Sequence, residues 1–468
     1  MDNEMSEINA SGIEFDTELI KKYDIAGPRY TSYPTAVQFT ADFTEQDYRA
    51  QAALSNQSGR DLSLYFHLPF CDTICYYCAC NKVVTKDRSK ADPYLHALHK
   101  EIAMQAELFD SSRKVNQLHW GGGTPTFISH QQMTELMQVT RQHFNLHDDD
   151  SGEYSIEIDP REVNRESIKL LRDIGFNRMS LGVQDFNHAV QKAVNRIQSE
   201  EQTLSALSNA REFGFKSIST DLIYGLPLQT VDSFAVTLER IIELSPDRIS
   251  LFNYAHMPEL FKPQRRINEA DMPGAEIKLT ILKQSTEQLI AAGYVYIGMD
   301  HFAKPDDELS IAQQQGKLYR NFQGYATHAD CDLVGLGITS IGTVHNSFSQ
   351  NLKSLDEYQA IINSGKLAVF RGVEIDRDDL IRRDVIMQLI CHFYLNFATI
   401  EAKHNIVFGD YFSSELKNLA EMREDGLIEV DSQSIKVTDK GRLLIRNICM
   451  TFDRYHNTQH QQRFSKAI

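Results

Sequence analysis

The chain has 468 residues, 42% hydrophobic and 24% charged, and its 48 Lys and Arg against 64 Asp and Glu leave a net charge of −16. That balance excludes disordered, collagenous and coiled-coil classes, and the length allows two or three domains or one large α/β barrel with appendages. No run approaches the ~18 apolar residues of a membrane span, the acid-rich start lacks the pattern of a signal peptide, and the acidity argues against nucleic acid and anionic membranes, so a cytoplasmic protein is expected.

The first stretch, residues 1–58, reads as an N-terminal arm. Within it GPRYTSYPTA (Gly27 to Ala36) carries two prolines and two tyrosines, which suggests an ordered extended segment more than a helix. From Leu62, short apolar runs recur: LSLYFHL (62–68), VNQLHW (115–120), YSIEID (154–159), RMSLGV (178–183), SISTDLIYG (217–225) and RISLFNY (248–254). Amphipathic stretches such as 93–109 and 131–144 separate them, with apolar residues three and four apart. Strand–helix–strand repetition means parallel pairing through right-handed crossovers, so six units in a row predict an α/β fold, a partial (β/α)6 barrel over about 60–300. A doubly wound sheet is the alternative. Either arrangement gathers its chemistry at the carboxyl ends of the strands.

Past residue 300 the alternation weakens, and the Gly-rich DLVGLGITSIGTV (332–344) is read as part of a segment, about 301–372, that covers the barrel mouth. The catalytic domain is thus expected over 59–372. Residues 373–468 read as a small, mostly helical, winged-helix-like C-terminal domain: a helical DDLIRRDVIMQLICHFYL, then two short strands joined around DSQS, then another helix. Without a basic recognition helix this wing is expected to pack against the barrel and bind no nucleic acid.

Four of the seven cysteines, Cys71, Cys75, Cys78 and Cys80, fall within ten residues directly after the first predicted strand. An odd total concentrated in one loop favours metal ligation over a disulfide framework. Cys71, Cys75 and Cys78 stand at C-x3-C-x2-C, and three thiolates on one loop can hold three irons of a [4Fe–4S] cluster while the fourth iron stays open. A zinc knuckle using Cys80 competes, although structural zinc sites usually pair two hooks from separate segments; a four-cysteine electron-carrying cluster competes too, although a ferredoxin needs no six βα units.

Here the sequence resembles the radical S-adenosylmethionine superfamily, and within it the oxygen-independent coproporphyrinogen III oxidase (dehydrogenase) family of anaerobic haem synthesis. The resemblance spans nearly the whole chain, through GPRYTSYPTA, the cysteine loop with its extra Cys80, HWGGGTPT, IEIDPRE, GVQDFN, DLIYGLP, FNYAHMP, GMDHFA, RNFQGY and RLLIRNICM. It implies a [4Fe–4S] cluster on Cys71, Cys75 and Cys78 and two S-adenosylmethionine molecules, cleaved to 5′-deoxyadenosyl radicals that take propionate hydrogens. Oxidative decarboxylation of coproporphyrinogen III to protoporphyrinogen IX follows. A reductant protein such as a flavodoxin-type donor, an unidentified electron acceptor and a monomeric state are also expected. The alternative is a haem-binding chaperone-type paralogue without oxidase activity, against which Cys80 and the PRYTSYPTA arm argue.

By resemblance, Tyr65 acts at the catalytic centre beside the three cysteines and near the first S-adenosylmethionine, with Tyr77 as an aromatic neighbour of its adenine. Gly122, Glu157, Gln184, Arg196 and Asp221 complete that site: carboxylates can accept from ribose hydroxyls or the methionyl ammonium, and Arg196 can pair with the methionine carboxylate. The glycines of HWGGGTP are expected to form a backbone nest for a carboxylate. A second S-adenosylmethionine site is implied at Gly123, Thr124, Ala255, Phe322, Gln323 and Ile341. Arg29 and Tyr30 of the arm are implied to lie near the active site, where a basic residue can meet substrate propionates. His67, His119 and His301 are expected to be structural.

Overall fold

The computed structural model of the chain describes residues 12–328 and 331–456; residues 1–11 of the expected arm and 457–468 of the expected C-terminal domain lie outside the described residues. Two compact units emerge, and neither is continuous in sequence. One combines Phe39–Ala292 with Asp330–Glu374; the other combines Met1–Gln38, Gly293–Ala329 and Ile375–Ile468. The sequence reading divides the chain consecutively, at 58/59 and 372/373, because pattern along a chain carries no record of which distant segments pair.

The first unit holds six parallel strands: β1 (Leu62–Leu68), β2 (Lys114–Gly122), β3 (Glu153–Ile158), β4 (Arg178–Gln184), β5 (Ser217–Tyr224) and β6 (Arg248–Asn253). Each pairs with the next in chain order and in parallel. An unbroken order lacks the reversal of a doubly wound sheet, so the partial (β/α)6 barrel is the architecture. The crossovers carry α1 (Ala91–Ala106), α2 (His130–His143), α3 (Arg165–Asp173), α4 (Glu200–Glu212) and α5 (Val231–Leu244). Reciprocal capping boxes start three of them, at Ser129 with Gln132, Ser199 with Gln202 and Thr230 with Ser233, each satisfying two otherwise orphaned N–H groups. Between strands and helices lies an apolar core in which the fully buried Trp120 of β2 meets Phe66 and Phe176 edge-on.

The Gly-rich stretch 332–344 differs from its expected role as a cover. Its first part, β7 (Asp332–Leu336), pairs in parallel with the free edge of β1, from Leu62↔Asp332 to Phe66↔Leu336. Next come β8 (Ile341–Val344), β9 (Ser347–Asn351) and β10 (Val369–Glu374), which continue the sheet antiparallel. Gly335 and Gly342 permit the close approach: a Cβ at Gly335 would stand 2.9 Å from the Ile341 carbonyl carbon, and one at Gly342 would stand 2.8 Å from the Leu333 oxygen. These glycines let backbones meet.

The second unit contains two hairpins, Val295–Gly298 with His301–Ala303 and Tyr319–Asn321 with Gly324–Ala326. Its long helix Arg377–His392 is followed by a three-stranded sheet in which Ser434–Val437 lies between Tyr394–Asn396 and Ile428–Val430, then by helix Ile445–Met450. That is the expected winged-helix-like pattern. The expected arm contains two helices, Thr17–Lys22 and Glu45–Ser58, the second of which lies in the barrel unit, while residues 27–35 form neither helix nor strand. Its first part is fastened within the second unit: Tyr30 donates to Asp453 at 3.0 Å, Arg446 Nε to the Pro28 carbonyl at 3.1 Å and Asn447 to the Tyr23 carbonyl at 2.8 Å. Among the described residues no helix is long and apolar enough to cross a membrane.

Candidate active site

The cysteine loop leaves the carboxyl end of β1 and closes on itself. Phe70 and Cys71 pair in parallel with Val83 and Val84, fixing both ends of the excursion. Its middle is pinned from three sides: Asn195 donates to the Ile74 carbonyl (2.7 Å), Val194 accepts the Tyr76 N–H (2.9 Å), and the buried Gln264 donates to the Tyr77 carbonyl (3.0 Å). Lys82 turns back to the Cys78 and Cys80 carbonyls at 3.1 and 3.3 Å. Cys71 and Cys75 are buried, Cys78 half-buried and Cys80 exposed.

The three thiols differ in their donors. Thr124 Oγ1 donates to Cys71 Sγ at 3.6 Å, whereas Cys75 Sγ receives two guanidinium N–H groups, from Arg196 Nη1 at 3.6 Å and Arg161 Nη2 at 3.7 Å. Burial pushes the Cys71 thiol up to about 12, while the neighbouring Cys80 thiol and then the Lys82 ammonium pull Cys78 down to about 6 against its own burial. Among the described residues no three His, Cys, Asp or Glu side chains gather tightly enough to share one metal ion. Three thiolates on one loop can each take a different iron of a cube and leave the fourth iron open.

Strand ends bring the expected polar residues of the first site into the same unit. Glu157 on β3 accepts the Gly122 N–H at 3.0 Å and lies 3.4 Å from His119 Nε2; despite burial, His119 and that N–H hold its carboxyl below the usual range. Asp221 on β5 accepts from Ser180 at 2.9 Å, and burial pushes it up to about 6. Tyr65 on β1 stacks on His119 with ring centroids 5.8 Å apart and donates to His67 Nδ1 at 3.2 Å. Burial keeps that phenol protonated. His67 passes its Nε2 proton toward the Asn81 carbonyl at 2.9 Å and is held neutral by burial, which fits the structural role expected of it. Arg196 donates to the Gly182 carbonyl (2.6 Å) and to Asp159 (3.0 Å), yet its buried Nε–H has no partner; the buried Oε1 of Gln184, whose φ is +69°, has none either. A donor in the loop after helix His188–Ala193 and an acceptor at the end of β4, both left unsatisfied, fit a polar ligand that supplies both. Tyr77 packs against Val190, Val194, Leu226, Tyr254 and Ile267.

The glycine nest needs correction. The N–H groups of Gly122, Gly123 and Thr124 are all taken by the protein, going to Glu157, the Leu68 carbonyl (2.8 Å) and the Phe70 carbonyl (2.8 Å). Small residues are required there for packing: a Cβ would reach 2.9 Å from Glu157 at Gly121, 2.8 Å from the His67 ring at Gly122 and 2.7 Å from the Phe70 oxygen at Gly123. The turn shapes the mouth and offers no free anion cradle.

The residues expected around a second cofactor divide between the units. Gly123, Thr124, Ala255 and Ile341 belong to the barrel unit, with Ala255 fastened through its carbonyl to Gln264 at 3.2 Å. Phe322 and Gln323 belong to the other unit, in the turn between the strands Tyr319–Asn321 and Gly324–Ala326; Gln323 Nε2 is buried without a partner. Arg29 forms an ion pair with Asp300, and Tyr30 is 1% exposed, so the tyrosine of the arm is core and presents nothing to a substrate. His301 meets Tyr325 edge-on at 5.3 Å.

Sequence reasoning missed Asp159, Arg161 and Gln264. The first two stand inside IEIDPRE, where only Glu157 was singled out; two more charges at a strand end were the available signal. Gln264 carries no such signal, because a lone glutamine in a loop is ordinary until its neighbours are known.

These features define a class. Residues 65–241 match the family model for the Radical SAM superfamily, and residues 375–444 match that for the HemN C-terminal domain. The oxygen-independent coproporphyrinogen III oxidase of Pseudomonas aeruginosa is 54% identical over 456 residues, covering 97% of this chain and 99% of the relative; that of Escherichia coli is 51% identical with the same coverage. The solved structure of coproporphyrinogen III oxidase (HemN) from Escherichia coli, a radical SAM enzyme, superimposes with a TM-score of 0.91 at 50% identity, covering 95% of this chain and all of that one. The chain belongs to the oxygen-independent coproporphyrinogen III oxidase family.

Proposed function

We propose that this chain converts coproporphyrinogen III to protoporphyrinogen IX without oxygen, by oxidative decarboxylation of two propionates to vinyl groups. The observation that carries the reading is the C-x3-C-x2-C loop at the carboxyl end of β1, with Cys75 held by two guanidinium groups and unpartnered Arg196 and Gln184 atoms beside it. When bound, a [4Fe–4S] cluster on Cys71, Cys75 and Cys78 supplies the electron that cleaves S-adenosylmethionine to a hydrogen-abstracting 5′-deoxyadenosyl radical.

The chain's own residues bind and orient. Arg196 Nε–H pairs with the methionine carboxylate and Gln184 Oε1 accepts from the same cofactor. Glu157, kept ionised by His119, accepts from the ammonium or ribose, and Tyr65 stays a neutral donor at the mouth. Tyr77 lines the adenine side. Gly123, Thr124, Ala255 and Ile341 of the barrel unit serve the second S-adenosylmethionine. The electrons come from an external one-electron protein donor of flavodoxin type and leave to a separate acceptor, with the enzyme working as a monomer in the cytoplasm.

The test is anaerobic. Reconstituted protein given S-adenosylmethionine, a reductant and coproporphyrinogen III should release 5′-deoxyadenosine and CO2 and form vinyl product. Tight haem binding with no conversion would instead place the chain among haem-trafficking paralogues.

A further inference from the structure

Asp159 sits at the end of β3 between two arginines. Its Oδ1 accepts the Arg161 backbone N–H (3.1 Å) and Nε (2.9 Å), and its Oδ2 accepts Arg161 Nη2 (2.6 Å) and Arg196 Nη1 (3.0 Å). This grip holds both guanidinium groups on Cys75 Sγ. Two cations share one carboxylate, so a net positive charge remains beside Cys75. Among the described residues Cys71 Sγ takes a hydrogen bond from the Thr124 hydroxyl, and Cys78 has one nearby cation, Lys82, which also reaches its carbonyl oxygen. The asymmetry falls on a chain whose net charge is −16.

The two arginines are not equivalent. Arg196 retains an unpartnered buried Nε–H, which suits it to a cofactor carboxylate, and such a carboxylate would cancel its charge. Among the described residues Arg161 makes its side-chain hydrogen bonds to Asp159 and Cys75 alone, and its side chain is 14% exposed. Hydrogen bonds and positive charge at a ligating sulfur favour the more negative, reduced state of an iron–sulfur cluster.

Resting on the assignment of Cys75 as a cluster ligand, we infer that Arg161, locked by Asp159, is a positioning residue that sets the reduction potential of the cluster through Cys75. Arg196 binds cofactor, while Arg161 keeps its guanidinium N–H on the thiolate once S-adenosylmethionine is present.

Potentiometric titration of the reconstituted enzyme, followed by electron paramagnetic resonance with and without S-adenosylmethionine, tests this. Arg161→Met should disfavour the reduced cluster about tenfold in both conditions, equivalent to about 59 mV downward for one electron. Arg161→Gln keeps a donor and loses the charge, so it should fall between wild type and Arg161→Met. Affinity for S-adenosylmethionine should stay within about twofold in either variant. A wild-type potential in loaded Arg161→Gln and Arg161→Met would overturn the inference, as would an unchanged potential with lost cofactor affinity, which would make Arg161 a ligand contact. If Arg161→Met does not assemble iron, Arg161→Gln decides alone. Failure of the wild-type protein to form any cluster would sink the assignment of Cys75, a separate result read from iron content.

Discussion

Glu101 Oε2 accepts the backbone N–H of Gly337 at 2.7 Å, so a carboxylate inside the first crossover helix holds the turn that follows β7. The same carboxylate accepts from Tyr358 at 2.6 Å and Asn351 at 2.7 Å, and Tyr94, two turns earlier on α1, donates to the His67 carbonyl at 2.6 Å. The turn leading to Ile341 is therefore bolted to the end of β1, where the cysteine loop begins.

Glu101→Gln should destabilise the fold by about 1–3 kcal/mol, because one of three buried donors would then face an amide NH2. Burial raises Glu101 from 4.5 to about 7. The folded chain therefore holds this proton more tightly than the unfolded one, and the stability it contributes is complete below 4.5 and lost as pH rises through about 7. Urea midpoints of wild type and Glu101→Gln should differ in their pH slope across that window; parallel profiles would remove Glu101 from the titration.

Gly122→Ala should cost about 1–2 kcal/mol from the backbone alone, since Gly122 holds φ at +114°, and more from its Cβ, which would meet the His67 ring at 2.8 Å. His67 would leave the Asn81 carbonyl and loosen the far end of the cysteine loop. A lowered melting temperature together with weaker S-adenosylmethionine binding is expected; a melting temperature equal to wild type would show that the ring moves freely aside.

Cys80 is exposed, whereas Cys71 and Cys75 are buried and Cys78 is half-buried. Cys80→Ser should still assemble iron and show the visible charge-transfer band, while serine at Cys71, Cys75 or Cys78 should not. A fourth thiolate on the open iron would displace the amine and carboxylate of S-adenosylmethionine. Iron analysis settles it: iron kept in Cys78→Ser and lost in Cys80→Ser would redraw the ligand set. Air exposure, which strips an open cube, should bleach the colour and abolish turnover together.

Arg29→Ala should raise the KM for coproporphyrinogen III several-fold and leave S-adenosylmethionine affinity unchanged, because four substrate carboxylates approach a chain of net charge −16 and need a local cation. The ion pair with Asp300 already compensates Arg29. Unchanged substrate kinetics in Arg29→Ala would assign the arginine to that pair alone.

Much of this protein is legible along the chain, and the physical reason is that the legible parts are local. Alternating apolar runs mark β1–β6 to within two residues, amphipathic stretches mark the first two crossover helices to within three, and C-x3-C-x2-C marks the ligand loop because its residues are neighbours in sequence. What depends on long-range pairing had to come from the tertiary structure. The Gly-rich 332–344 stretch became sheet beside β1 because the edge of that strand accepts it, and the glycines of HWGGGTP proved to serve close packing because a Cβ there would strike Glu157, His67 or Phe70, while Glu157 and Leu68 take the N–H groups of Gly122 and Gly123. Arg161 gained meaning only when β3 delivered it to Cys75, 86 positions away. Sequence patterning reports which face of each element is apolar; which charged side chain reaches which thiol is decided where separate strand ends converge.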